Sequence, residues 1–207
     1  MDADVLLQRQ EEIANRLATS SVTWHDTLIT SVVDNTGISE LITQIENLVA
    51  AQVTNSNNTR PRLFIDRVFS MKGSGTVVTG TLEGGNLEAA SSLIVARTGT
   101  AVRIREIQTH GSVVAVAQSG SRCAINLSGI DADELQRGDA LVRENDWHMS
   151  NAFDARINVL PALQHVLTHR GSFTLHVGTR SQSATIRILQ SDSIDPGQSG
   201  LVCIRFD

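Results

Sequence analysis

The stretch from Arg62 to Thr81 constrains the fold most. Arg62-Leu63-Phe64-Ile65-Asp66-Arg67-Val68-Phe69 and Thr76-Val77-Val78-Thr79 flank the glycine-punctuated segment Ser70-Met71-Lys72-Gly73-Ser74-Gly75. Strand side chains alternate between two faces. The first run therefore predicts a strand with Leu63, Ile65 and Arg67 on one face and Phe64, Asp66 and Val68 on the other. Gly73 and Gly75 provide the positive φ of a tight reversal, and the β-branched run resumes the sheet. Such a hairpin opens a β-barrel or a sandwich.

Downstream the same pattern repeats. Short strands are expected at Ser92–Ala96, Ala101–Ile107, Val113–Ala117, Arg122–Leu127 and Ala140–Val142, with turns at Gly84-Gly85, Thr98-Gly99, His110-Gly111, Ser119-Gly120 and Gly129. That regular spacing favours a barrel. Four more strands are expected between Asp154 and Phe206. They are few for a closed barrel, so a partial one is predicted.

The N-terminal part differs. Asp4–Ala18 and Ile38–Ala50 carry helical periodicity, the second with Ile38, Leu41, Ile42, Ile45, Leu48 and Val49 in one stripe. Thr27–Thr30 reads as a strand between them. A helix-strand-helix piece cannot bury two amphipathic faces alone, which predicts the end of a larger α/β domain. The expected organisation is an α/β remnant over 1–51, a linker over 52–61, a barrel over 62–148 and a partial barrel over 149–207. The fold class is thus mainly β with a small α/β remnant.

A formal net charge of -5 argues against general nucleic-acid binding, because phosphate affinity comes largely from lysine and arginine. Lys72 is the only lysine among 17 basic residues, the rest being arginines that can hold an anion through a planar fork of donors. Cys123 and Cys203 lie in apolar runs without a CxxC pair and read as buried free thiols of a reducing, cytoplasmic setting. No apolar stretch is long enough for a membrane span, and the first residues are too charged for a signal peptide.

The order IDRVF and KGSGTVVTGTLEGG, then AVRIREIQ with His110-Gly111, then RCAINLSGI and LQRGD, resembles the second domain of translational GTPases, and within them the selenocysteine-specific elongation factors. Leu175-His176-Val177-Gly178-Thr179 is similar to the start of that family's third domain, and the first fifty residues to the last helices of its GTPase domain. The resemblance implies a translation factor that binds the aminoacyl end of selenocysteinyl-tRNA. Through the full-length protein it would act with the ribosome and the selenocysteine-insertion messenger RNA element. GTP and magnesium are the full-length family's cofactors. No GxxxxGK[ST] phosphate loop occurs in this sequence, so no cofactor is expected in this chain and it is not expected to be a GTPase itself. Two arginines of the family's second domain line the selenocysteine pocket, and the matching positions are Arg67 and Arg122.

Each arginine could instead pair with a nearby carboxylate such as Asp66. Alternative functions are a non-catalytic interaction module, or part of another translation factor resembling elongation factor Tu or an initiation factor. His165 and His169 have a metal-binding spacing only if helical, and they follow Pro161 in a β-rich segment without a third ligand. Arg137-Gly138-Asp139 is expected as the turn before the last barrel strand, and Trp24 and Trp147 as packing residues.

Overall fold

The computed structural model of the protein describes residues 3–18, 24, 27–51, 59–71 and 75–206. Two compact units emerge. One comprises residues 1–53, 154–169 and 187–203, and the other residues 54–153, 170–186 and 204–207.

In the first unit, α1 (Ala3–Ala18) and α2 (Ile38–Ala51) occupy the predicted helical segments. Helix α2 follows a compact turn in which the Ser31 amide donates to the Thr36 carbonyl at 3.0 Å and the Thr36 amide to Asp34 Oδ1 at 3.2 Å. Gly37 leaves that turn at φ +67°, where a Cβ would overlap the Ile29 carbonyl oxygen. No α2 residue is buried: Ile42, Ile45, Leu48 and Val49 are 43–67% exposed. The stripe read from sequence is present and uncovered. Thr27–Thr30, expected as a strand, is not in a sheet. Without a partner among the described residues its amides and carbonyls have no ladder to join. Trp24, expected to pack, is 54% exposed. The linker expected over 52–61 lies mostly outside the described residues, as does the loop at 72–74.

In the second unit the strands are β1 (Arg62–Met71), β2 (Gly75–Glu83), β3 (Leu87–Glu88), β4 (Ser92–Val95), β5 (Ala101–Thr109), β6 (Ser112–Val114), β7 (Val116–Ala117), β8 (Arg122–Ser128) and β9 (Ala140–Val142). Their order is β4-β9-β1-β2-β8-β5, and β4 pairs back onto β5. Six strands therefore close into a barrel with no free edge within the ring. Its interior is filled by alternate residues: Leu63, Ile65, Val78, Leu82, Ile104, Ile107, Ile125 and Leu127 are each at most 1% exposed. Burying a side chain of this size stabilises by about 1.5–3 kcal/mol, so the barrel needs no disulfide. Cys123 is one of its interior residues, and both cysteines are free. Cys203 is only half-buried.

The C-terminal strands are β10 (Ala152–Asn158), β11 (Leu167–Thr168), β12 (Phe173–Val177), β13 (Arg180–Ile188), β14 (Ser193–Ile194) and β15 (Ser199–Phe206). Four form an open sheet in the order β10-β15-β13-β12, and β11 pairs with β14. The two-residue β11–β14 ladder was not legible in sequence, because two residues carry no periodicity.

Within the second unit the tip of the β12–β13 hairpin seats on β1. Thr179 Oγ1 donates to the Ile65 carbonyl at 2.6 Å, and the Gly138 amide donates to the same oxygen at 2.9 Å. A Cβ on Gly178, at φ +56°, would overlap the Phe64 ring. Arg137-Gly138-Asp139 is a turn before β9, as expected. Its aspartate is an interior residue: the Asp139 side chain is fully buried and accepts from Arg97 Nε at 2.6 Å and Nη2 at 2.9 Å.

Candidate functional site

The site begins with an extra residue. β1 and β2 pair Ile65 with Gly80 and then Arg67 with Thr79, so Asp66 has no residue opposite it. This bulge reverses the alternation. Leu63 and Ile65 point inward, but so does Val68, which packs on the core, and Arg67 faces outward. The expectation that Arg67 shares a face with Leu63 and Ile65 is therefore overturned. Continuous alternation would have put Arg67 into the core; the bulge puts it on the surface beside Asp66.

Residues opposite one another in antiparallel strands share a face. Arg67 lies opposite Thr79, Thr79 opposite Ala124, and Ala124 opposite Gln108; one step along, Thr81 lies opposite Arg122. Arg67 and Arg122 come from strands separated by β2, and Arg122 reaches across β2 to Asp66. Arg122 Nη1 donates to Asp66 Oδ2 at 2.6 Å and Nη2 to Oδ1 at 3.2 Å. Thr79 Oγ1 donates to Asp66 Oδ1 at 2.5 Å and accepts from Arg122 Nη2 at 3.5 Å. The pairing of Arg122 with Asp66, one of the two readings open from sequence, is formed. Burial disfavours the Asp66 carboxylate, yet hydrogen bonds from Thr79 and Arg122 and the charges of Arg122 and Arg67 outweigh it, holding the group below the usual carboxylate range.

Two adjoining hollows flank this cluster on the barrel's outer face. One, of about 350 Å³, is bordered by Thr79, Gln108, His110, Arg122 and Ala124. The other, of about 480 Å³, has Phe69 and Val77 on an apolar side and Glu106, Gln108 and Asn126 on a polar one. Gln108 Nε2 donates to Glu106 Oε1 at 2.7 Å, and the buried Asn126 Oδ1 has no partner among the described residues. The result is a slot with an apolar wall, a carboxylate and a buried, unpartnered amide oxygen, next to the Arg122–Asp66 pair.

The sequence singled out Arg67 and Arg122, and it singled out neither Thr79, Gln108 and His110 nor the slot residues. Thr79 falls in the VVTG run and His110 in a turn, where threonine and histidine are ordinary. Only strand pairing brings them together. His165 and His169 flank the short strand β11 and do not lie on a helix. Among the described residues no group of three or more His, Cys, Asp or Glu could hold a metal.

A closed six-stranded barrel followed by further β-structure is a fold the chain shares with solved structures of translation elongation factors. Across its full length the chain superposes on the apo crystal structure of elongation factor SelB from Methanococcus maripaludis, with a TM-score of 0.85 at 20% identity, covering 49% of that chain. In sequence it is 32% identical over 206 residues to a selenocysteine-specific elongation factor of Desulfomicrobium baculatum, which covers all of this chain and 32% of the relative. A selenocysteine-specific elongation factor of Methanocaldococcus jannaschii is 25% identical over 203 residues, covering 96% of this chain and 43% of the relative. No family model matches the chain. Over essentially its whole length the chain is thus similar to one stretch of the selenocysteine-specific elongation factors. It spans about a third of the length of the Desulfomicrobium relative.

Proposed function

We propose that this chain binds the aminoacyl end of selenocysteinyl-tRNA during selenocysteine incorporation, and that Arg67 and Arg122 receive the selenocysteine side chain. The observation carrying this reading is the Arg122 fork held on Asp66, with the exposed Arg67 next to Asp66 in the chain on the same strand. Two guanidiniums and one carboxylate leave one positive charge unmatched. A selenol is ionised at neutral pH and supplies the missing anion; a seryl hydroxyl is neutral and does not. Hydrogen bonds to charged groups contribute about 1.5–3 kcal/mol, about ten- to a hundredfold in affinity. Asp66 and Thr79 hold the Arg122 fork in place before ligand arrives, so little side-chain entropy is lost on binding.

The neighbouring slot fits the terminal nucleoside. Its apolar wall of Phe69 and Val77 offers a stacking surface, and Glu106 and Asn126 offer acceptors to a base edge, as in recognition of unstacked RNA ends. The division into an α/β remnant over 1–51, a linker over 52–61, a barrel over 62–148 and a partial barrel over 149–207 is part of the same proposal. The sequence has no phosphate loop, so GTP binding and hydrolysis, with their magnesium, fall to other parts of a full-length factor. Action on the ribosome with the messenger RNA element, in the cytoplasm, would likewise be carried by the whole factor. Among the described residues no helix is long and apolar enough to cross a membrane.

The test is protection of the aminoacyl ester. Selenocysteinyl-tRNA and seryl-tRNA are incubated with the chain at one fixed salt concentration, beside Arg67→Ala and Arg122→Ala. Selective protection of the selenocysteinyl ester, reduced at least tenfold in both variants while circular dichroism is unchanged, is the expected result. Equal protection of both esters would assign the barrel to a factor with another aminoacyl preference. Protection of neither would favour a barrel that serves only as an interaction module.

A further inference from the structure

A second cavity in the barrel-containing unit lies away from Asp66 and has a different chemistry. It encloses about 520 Å³, and its walls are mostly apolar, with Phe64, Val142, Trp147, Leu175 and Val177 among them. Three arginines line it against one acidic residue, Asp139, in a protein whose net charge is -5. Arg97 is matched by Asp139, and Arg62 by Glu83 outside the cavity at 3.0 Å. Among the described residues Arg180 has no carboxylate within ion-pair distance. A smaller hollow of about 460 Å³ adjoins, sharing Arg97, Met149, Ser150, Arg180 and Phe206 with the first, so both guanidiniums stand where the two meet.

Three of the lining residues carry a buried polar atom with no hydrogen-bond partner among the described residues: Arg62 Nε, Trp147 Nε1 and Gln182 Oε1. Two are donors and one is an acceptor. The Arg62 guanidinium lies 4.6 Å from the Phe64 ring centroid and 4.5 Å from that of Trp147. These stacked groups make the wall flat and rigid. Buried polar atoms are ordinarily satisfied, and one left without a partner is destabilising. An apolar chamber with unmatched donors and an unpaired guanidinium has the make-up of a small-molecule site.

We propose that this cavity binds an organic anion with a flat apolar body, its carboxylate taken by Arg180 beside Arg97 and its body stacked along Trp147 and the aliphatic walls. A bare inorganic anion would leave the apolar walls unused, and a neutral aromatic would leave Arg180 unmatched. The site is independent of aminoacyl recognition, because it shares no residue with the Asp66 cluster or its two hollows.

The probe is 2-naphthoate, with neutral 2-naphthamide as its uncharged counterpart. The chain has two tryptophans, so Trp24→Phe leaves Trp147 as the sole indole reporter. Saturable quenching of Trp147 by naphthoate is expected, about tenfold tighter than by naphthamide, falling at least fivefold in Arg180→Gln with naphthamide unaffected. Val177→Phe, at an exposed lining position, should abolish both by filling the chamber while leaving Trp147 the sole indole. Equal affinity for the two probes, or an Arg180→Gln response that does not distinguish them, overturns the anion assignment. Absence of saturable quenching up to about millimolar probe overturns the site. The comparison of the two probes needs no Arg180 variant, so it stands even if that variant misfolds.

Discussion

Asp66 is the residue on which the outer-face site turns. It orders Arg122 but also neutralises part of the charge that an anionic ligand would use. Asp66→Asn should therefore loosen Arg122 while raising local positive charge. The expected outcome is weaker discrimination between selenocysteinyl and seryl esters with more general anion binding, measured by the protection assay at two salt concentrations. Stability should follow a definite sign. A carboxyl held below its ordinary value of 3.8 when folded stabilises fully above that pH and loses its contribution as pH falls through the folded value. Acid unfolding of Asp66→Asn should show a shallower dependence below about pH 4 than the parent. Arg122 is itself more than half exposed, so Arg122→Ala should cost at most about 1 kcal/mol of stability. Loss of binding in that variant would then reflect the site and not the fold. Cys123 gives another check at this scale. It is 1% exposed, and burial pushes its thiol up, away from the reactive thiolate. In Cys203→Ser, alkylation by iodoacetamide should be negligible in the folded protein and complete in denaturant.

Among elements, β1 and its bulge separate what sequence displays from what it hides. The alternation of Leu63 and Ile65, the VVTG run and the glycine turns were enough to read a barrel, because period-two burial leaves its mark directly on composition. The bulge at Asp66 has no such mark: one inserted residue changes the phase of every side chain after it, and Asp66 and Arg67 look like ordinary alternating positions. For the same reason the two arginines were singled out only by likeness, and Thr79 and Gln108 come beside Arg122 only through strand pairing. Close packing behind the bulge makes a further prediction. A Cβ on Gly80 would overlap the Phe64 carbonyl oxygen and crowd the Leu63 side chain. Gly80→Ala should destabilise by about 1–3 kcal/mol and displace β1, reducing ester protection as well. Gly178→Ala meets the Phe64 ring on the hairpin tip. It should disturb the Thr179 contact with Ile65 while leaving the six-stranded ring closed, which urea unfolding monitored by circular dichroism would separate from the Gly80 effect.

At the scale of the molecule, stability is distributed unevenly. The barrel is a closed ring with its interior residues at or near zero exposure, and opening it breaks ladders on both sides of any strand. Helix α2 has no buried residue and α1 presents Leu7 and Ile13 at 59% and 48% exposure. Isolated helices of about 14–16 residues are marginal in water, since nucleation is costly and most helical stability comes from packing. The apolar stripe that identified α2 in sequence thus contributes little here, which is why the sequence could predict the helix but not whether its face would be covered. Native-state hydrogen exchange should resolve the consequence. Amides of α1 and α2 should exchange with low protection, through local opening. Those of β1, β2, β5 and β8 should exchange only with global unfolding and at a common free energy. Helix amides protected to the barrel's level would mean that the stripe is covered in solution, and the two units would then have to be regarded as one cooperative structure.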